Sequence, residues 1–246
     1  VTDVHALLER IVPKGGPRLI ASEMVDGQLW TLFEHLQGAT AEEVGTPAAL
    51  EATARELARV QAAVAKLDLT PLPVFDVRSV PGALLEDDLS DQRVELVQWL
   101  RGAQPALQRD ADALADIPLS IDHPDVNASN AIIRDDGRAI LLDWEEATAG
   151  CPLFSLDRLL AEAHELSAVE TVTDVYLDTL RAGGSEQVER AMCLVPLKLA
   201  HENRAFARAL GWPHPHTHLT TRLLELAQRR STDGCLNAWL SDLLAP

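Results

Sequence analysis

A chain of 246 residues with 47% hydrophobic and 24% charged residues is long enough to bury a core in one or two domains, which excludes a disordered polymer. Its formal charge of −17 excludes a nucleic-acid binder, since a phosphate backbone demands clustered Lys and Arg. No apolar run approaches the roughly 20 residues that cross a bilayer, so no membrane association is expected.

Val4, Leu7, Leu8 and Ile11 fall at helical spacing, and Pro13 with Gly15 and Gly16 ends that helix. Residues 18–22 and 28–33 flank an Asp26-Gly27 pair and predict a hairpin. It runs into Glu34-His35-Leu36-Gln37-Gly38. Pro47 opens a long amphipathic helix whose buried stripe is Leu50, Leu57, Val60, Val64 and Leu67. The proline-rich string LTPLPVFDVRSVPG then predicts a connecting loop, followed by two helices over 91–101 and 103–115. After Pro118 an extended segment is expected, and beyond Trp144 helices over 155–166, 169–181, 186–210, 219–229 and 235–244. His214-Pro215-His216-Thr217-His218 lies among prolines and predicts an exposed loop rather than a metal site. Cys151, Cys193 and Cys235 are odd in number and widely scattered. That argues against a disulfide framework or a zinc cluster and fits a reducing cytoplasm.

The chemistry concentrates in IDHPDVNASNAIIRDDGRAILLDW, residues 121–144. His123, Asp125 and Asn130 stand in the order and spacing of a kinase catalytic loop, His-x-Asp, four residues, Asn. Ala131 to Ile133, the Asp136-Gly137 turn and Ala139 to Leu142 predict a hairpin that returns Asp143 beside that loop. A base for an acceptor hydroxyl and oxygen ligands for Mg2+ would then face each other, as phosphoryl transfer requires.

This segment resembles the catalytic core of the aminoglycoside phosphotransferase and choline kinase family, whose strings run close to His-Gly-Asp-x-x-x-x-Asn and Ile-Asp-Trp. Here they stand as His123-Pro124-Asp125-Val126-Asn127-Ala128-Ser129-Asn130 and Leu142-Asp143-Trp144. Pro124 replaces the common Gly, and Asn127 stands where a His is frequent. EEATAGCPLFSLDRLL continues the likeness, with Cys151 and Ser155 where acids often occur.

The resemblance implies an α+β, protein-kinase-like bilobal fold, with a truncated small β lobe over residues 1–37 and a mainly helical lobe over 38–246. It implies an ATP- and Mg2+-dependent enzyme that phosphorylates a hydroxyl group of a small molecule. Asp125 would be the base, and His123 would brace the loop. Asn130 and Asp143 would hold Mg2+. Glu34, His35 and Leu36 would meet adenine at the hinge, and Asn127 and Ser129 would bond phosphate or cap the loop. Glu145, Glu146, Asp157, Glu162 and Glu165 are candidate contacts for the substrate, as are His201, Glu202 and Arg204. Asp157 and Arg158 equally suit an exposed helix start. The acidic charge favours a cationic substrate by steering, or simply keeps the surface solvated.

Such a lobe should also supply a glycine-rich loop and a strand Lys paired with a helical Glu. Neither precedes the first helix. The lysines are Lys14, Lys66 and Lys198, and Asp3 and Glu9 are the acids available on that helix. Two accounts remain open: that the missing part of the lobe precedes Val1, or that the protein is a non-catalytic module that has lost ATP binding.

Overall fold

In the computed structural model, residues 2–12, 15–65, 67–70, 72–212 and 217–239 are described. The first half carries α1 (Thr2–Ile11), β1 (Leu19–Val25), β2 (Gln28–Phe33), β3 (Ala39–Thr40), α2 (Ala41–Val44), α3 (Pro47–Val64), α4 (Val80–Ala83) and α5 (Val94–Leu114). There follow β4 (Ser120–Asp122), β5 (Ala131–Ile133), β6 (Ala139–Leu141), β7 (Thr148–Gly150), α6 (Asp157–Glu165), α7 (Val169–Leu180), α8 (Ser185–Ala209) and α9 (Thr217–Asp233). They form two compact units, Val1–Phe75 with Pro118–Ala182, and Asp76–Ile117 with Gly183–Pro246. No helix among the described residues is long and apolar enough to cross a membrane.

In the first unit α1 buries Val4, Leu7 and Leu8, as its spacing predicts. The β1–β2 hairpin closes at the Val25–Gln28 pair, with Asp26 and Gly27 both at positive φ (51° and 78°). A two-residue turn of that hand matches the twist of paired strands. The strand is longer than expected, running on to Val25. Thr40 then caps α2, accepting from the Glu43 amide at 3.1 Å while the Glu43 carboxylate accepts from the Thr40 amide at 2.8 Å. Thr46 and Pro47 start α3, which buries Leu50, Leu57, Val60 and Val64. Leu67 is a correction: the helix ends before it, and its side chain is exposed.

Three antiparallel strands in the order β3, β5, β6 form one small sheet, and β4 pairs with β7 in another. Gly38 sets the approach to the first. Its φ is +144°, and a Cβ there would stand 2.4 Å from the Ile133 carbonyl oxygen. Gly38→Ala is therefore expected to lower unfolding free energy by about 1–3 kcal/mol, read from urea melts. A change below 0.5 kcal/mol, a rough threshold for an ordinary surface substitution, would show that this backbone relaxes freely.

The proline-rich segment departs from the expected loop. Val74 bridges to Ala149 in parallel, with the Phe75 amide donating to Ala149 and the Ala149 amide to Pro73, both at 2.8 Å. Within the second unit, Asp76 caps a short 3-10 turn that runs into α4. The two helices expected around Gly102 are one, α5, because Leu96, Val97, Leu100, Leu107, Ala111 and Leu114 make one continuous buried stripe. Pro105 lies inside it and is accommodated without ending it.

At the end of the chain, Cys193 and Cys235 form a disulfide, against the expectation from their scattered spacing. Sequence separation hid their proximity. Arg230, almost fully buried, donates to the Met192 carbonyl at 2.7 Å and to the Ala238 carbonyl at 3.0 Å, tying α9 and the residues after it to α8. The helix expected over 235–244 does not form in its described part. Gly234, at φ +100°, follows the end of α9, and 235–239 are turn, bend and irregular chain, while 240–244 lie outside the described residues. His214 and His216 also lie outside them, and His218 falls in the first turn of α9 rather than in a loop. Cys151 stays a free buried thiol, with its pKa pushed up to about 12 by burial.

Candidate active site

The loop between β4 and β5 is shaped by Asn127. Its Oδ1 accepts from the Asn130 amide at 3.0 Å and from the Ser129 hydroxyl at 2.6 Å, capping a 3-10 turn over Ala128–Asn130. Asn127, not Ser129, is therefore the capping acceptor. The turn folds Asn130 back onto Asp125. Asn130 Nδ2 donates to Asp125 Oδ2 at 2.9 Å and to the Asp125 carbonyl at 3.0 Å, and Asn127 Nδ2 lies 3.2 Å from Asp125 Oδ1.

The hairpin returns the chain to Asn130 just before Asp143. Ala131 pairs with Leu141, and the Leu142 amide donates to the Asn130 carbonyl at 2.8 Å, so Asp143 is the next residue beyond that link. Asp143 adopts a left-handed conformation, φ 58°, which turns the chain into a 3-10 segment. Trp144 anchors the turn: it is fully buried and its Nε1 donates to Leu141 at 3.1 Å. Glu145 raises the pKa of Asp143, first through a hydrogen bond between the two carboxyls, then with help from burial and from the Glu145 charge.

His123 is fully buried beside the Trp144 ring, 4.5 Å between centroids. Burial lowers its pKa, so the imidazole is neutral. Its Nδ1 accepts from the Asp125 amide at 3.4 Å, so Nε2 carries the hydrogen and donates to the Leu142 carbonyl at 2.7 Å. One ring thus joins the loop to the hairpin. Its own backbone amide donates to Ser155 Oγ at 2.8 Å, and that hydroxyl donates to Asp122 Oδ1 at 2.8 Å.

Two helical side chains hold the loop from outside. Arg158 Nη1 lies 2.5 Å from Asp125 Oδ1, and the Glu162 carboxylate accepts from the Ala128 amide at 2.7 Å. Burial raises the pKa of Glu162. Asp157 and Arg158 do start α6, and Arg158 is exposed as expected while paired with Asp125, but Asp157 is buried rather than exposed. His5 of α1 is buried, its ring 4.5 Å from that of Phe33 and its Nε2 3.7 Å from Glu145. Burial lowers its pKa as well.

Glu34, His35 and Leu36 form an irregular link after β2, as expected of a connecting segment. Glu34 is tied to Arg18, whose backbone amide donates to its Oε1 at 3.0 Å. Among the described residues no hydrogen bond or ion pair joins these three to Asp125, Asn130 or Asp143. In the second unit, His201 Nδ1 stands 3.3 Å from Asp87, Glu202 accepts from Lys198 at 2.9 Å, and Arg204 reaches Asp91 at 3.1 Å. All three pair with residues of their own unit.

A divalent ion such as Mg2+ fits this donor set. Asn130 commits its NH2 to Asp125, which leaves Oδ1 as a free acceptor, and the crowded Asp143 and Glu145 carboxyls gain from a cation between them. Among the described residues no group of three His, Cys, Asp or Glu side chains is placed to hold a metal ion, so the donor set here rests on the Asn130 amide beside the carboxylates.

Residues 1–194 match the family described as the phosphotransferase enzyme family, APH. The chain belongs to that family. Its fold is that of choline kinase LicA from Streptococcus pneumoniae, with TM-score 0.65 at 15% identity over 93% of this chain and 79% of that one. An aminoglycoside phosphotransferase from Alicyclobacillus acidocaldarius gives TM-score 0.54 at 16% identity, covering 99% of this chain and 84% of the other. A thermostable APH(4)-Ia mutant in ternary complex with AMP-PNP and hygromycin B gives 0.57 at 17%, covering 91% and 81%. No curated protein matches the sequence. The fold is thus the protein-kinase-like α+β fold expected of the phosphotransferase family.

Several residues of this family member escaped the sequence reading. Gln61 on α3 is fully buried, donates through Nε2 to the Ile121 carbonyl at 2.9 Å and accepts from Tyr176 at 2.6 Å. Its signal was present: a lone amide between Leu57, Val60 and Val64 on an otherwise apolar stripe. His5 and the pairing of Arg158 with Asp125 left no local signal.

Proposed function

We propose that the chain is an ATP- and Mg2+-dependent phosphotransferase that acts on a hydroxyl group of a small molecule. The observation that carries this is the Asn130 amide bonded to Asp125 at 2.9 Å on a loop whose next strand pair returns Asp143. In this reading Asp125 orients the acceptor hydroxyl and takes its proton, within hydrogen-bond reach. Asn130 and Asp143 hold the metal, with Glu145 beside them. Mg2+, when bound, neutralises charge on the phosphate oxygens. Neutral His123 does not react; it fixes the distance between loop and hairpin. Asn127 contributes by fixing the loop that meets the nucleotide, and Glu34, His35 and Leu36 offer backbone groups to adenine. Residues 1–37 belong to the small lobe and 38–246 to the large one.

The fold relatives include a complex with AMP-PNP and hygromycin B and one with GDP and kanamycin, which supports a nucleotide and a hydroxyl-bearing acceptor here. Exposed Glu145 and Glu146 next to Asp143 favour a cationic acceptor. A coupled ATP-consumption assay of the full gene product against aminoglycosides, choline, sugars and amino alcohols tests the reading. Turnover that depends on one acceptor class and on Mg2+ is expected. Failure across all classes would leave a ligand-binding module without catalysis.

A further inference from the structure

A cavity of about 290 Å³ opens on the first unit and is lined by none of the candidate active-site residues. Helix α3 supplies Ala52, Arg55, Glu56 and Arg59 to it, spaced i, i+3, i+4 and i+7 and so on one helix face. The turn between β5 and β6 supplies Arg134 and Arg138. Four guanidiniums thus meet one carboxylate on the wall of a pocket, in a chain whose acids outnumber its bases 38 to 21.

The charges are unequally satisfied. Glu56, almost buried, grips Arg59 in a fork at 2.7 and 2.5 Å, and Asp136 at the turn holds Arg138 at 2.6 Å. The side chains of Arg55 and Arg134 have no hydrogen bond or ion pair with any described residue. The two elements feel each other: the pKa of Arg138 is raised mainly by Asp136, with Glu56 adding and Arg59 opposing. All four arginines are exposed and share the lining of one cavity, where like charges repel unless an anion sits among them. The same cavity is lined by buried Ala52, Ala139 and Ile140, an apolar wall beside the arginines.

We propose that this cavity binds the phosphate of a small phosphorylated metabolite. Guanidiniums in this number match phosphate oxygens through paired, charge-assisted N–H···O contacts. The small, partly open volume suits a small ligand rather than a nucleic acid, which needs a long basic track, and the chain's overall acidity opposes binding to an anionic membrane. The inference stands independently of the phosphotransferase reading.

Isothermal titration of the full chain with pyrophosphate in EDTA tests it, because chelation removes the metal-bridged phosphate binding expected at the active site. The parent should bind, and the double variant Arg55→Ala, Arg134→Ala should weaken binding at least tenfold with an unchanged circular dichroism spectrum. Asn130→Ala with Asp143→Ala should bind as the parent does. No heat from the parent, equal affinity in the arginine variant, or loss of binding in the Asn130 and Asp143 variant would each overturn the assignment. Vesicles of phosphatidic acid form a second arm, and capture by them without any response to pyrophosphate would reject a small-molecule ligand.

Discussion

Replacing Asp125 with Asn is expected to lower kcat by about 10²–10⁴-fold, the range supplied by a positioned general base. An amide at 125 still accepts from Asn130 through its oxygen and so keeps the loop's main link, while its NH2 gives up the 3.2 Å contact with Asn127 Nδ2. What it loses is the ability to take a proton from the acceptor hydroxyl, and its NH2 would face the Arg158 guanidinium where a carboxylate sat at 2.5 Å. That ion pair is half exposed on the Arg158 side, so its loss should change stability by at most about 1 kcal/mol. The buried links of the site, His123 to Leu142 and Ser155 to Asp122, do not pass through the Asp125 carboxylate. The measurement is a coupled assay beside a thermal melt. Turnover within a few-fold of the parent, with the melt unchanged, would remove Asp125 from the chemistry. Loss of both together would say instead that the carboxylate holds the loop.

The sequence showed the site more clearly than it showed what supports it. Asp125, Asn130 and Asp143 lie within 19 positions, and a short hairpin with an Asp136-Gly137 turn is local information, so the strand pairing that returns the chain to Asn130 just before Asp143 follows from strand alternation and turn chemistry alone. The partners that hold them come from far along the chain. Arg158 and Glu162 arrive on α6 and His5 on α1, and nothing in their own neighbourhoods sets them apart from other charged helical residues. The same limit explains the disulfide: Cys193 and Cys235 are 42 positions apart and meet only because α9 packs back on α8. Helix ends were misjudged where side-chain burial overrode a local breaker. Gly102 and Pro105 invite a break, yet the stripe from Leu96 to Leu114 gains more by staying on one helix.

Gln61→Leu is expected to lower the unfolding free energy by about 2–4 kcal/mol, more than any surface change near the site. The residue joins four elements. Its Nε2 faces the Ile121 carbonyl on β4 at 2.9 Å, the Pro152 carbonyl at 3.0 Å and Ser155 Oγ at 3.1 Å, while its Oε1 accepts from Tyr176 on α7 at 2.6 Å. Leucine has a similar volume and fills the space, so the cost is not a cavity. It is a desolvated Ile121 carbonyl with its side-chain donor gone, and a Tyr176 hydroxyl left with Pro152 alone at 3.1 Å. Tyr176→Phe isolates the second part and should cost only about 1 kcal/mol, since Pro152 then keeps Gln61 as donor. Urea melts of the two variants decide between packing and hydrogen bonding. If Gln61→Leu costs no more than Tyr176→Phe, the amide is a tolerated passenger in an apolar interface. If it costs several times more, β4 depends on it, and so does His123, which follows β4 directly and whose amide shares Ser155 with Gln61. A drop in kcat without a change in the assay's metal requirement would then accompany the loss of stability.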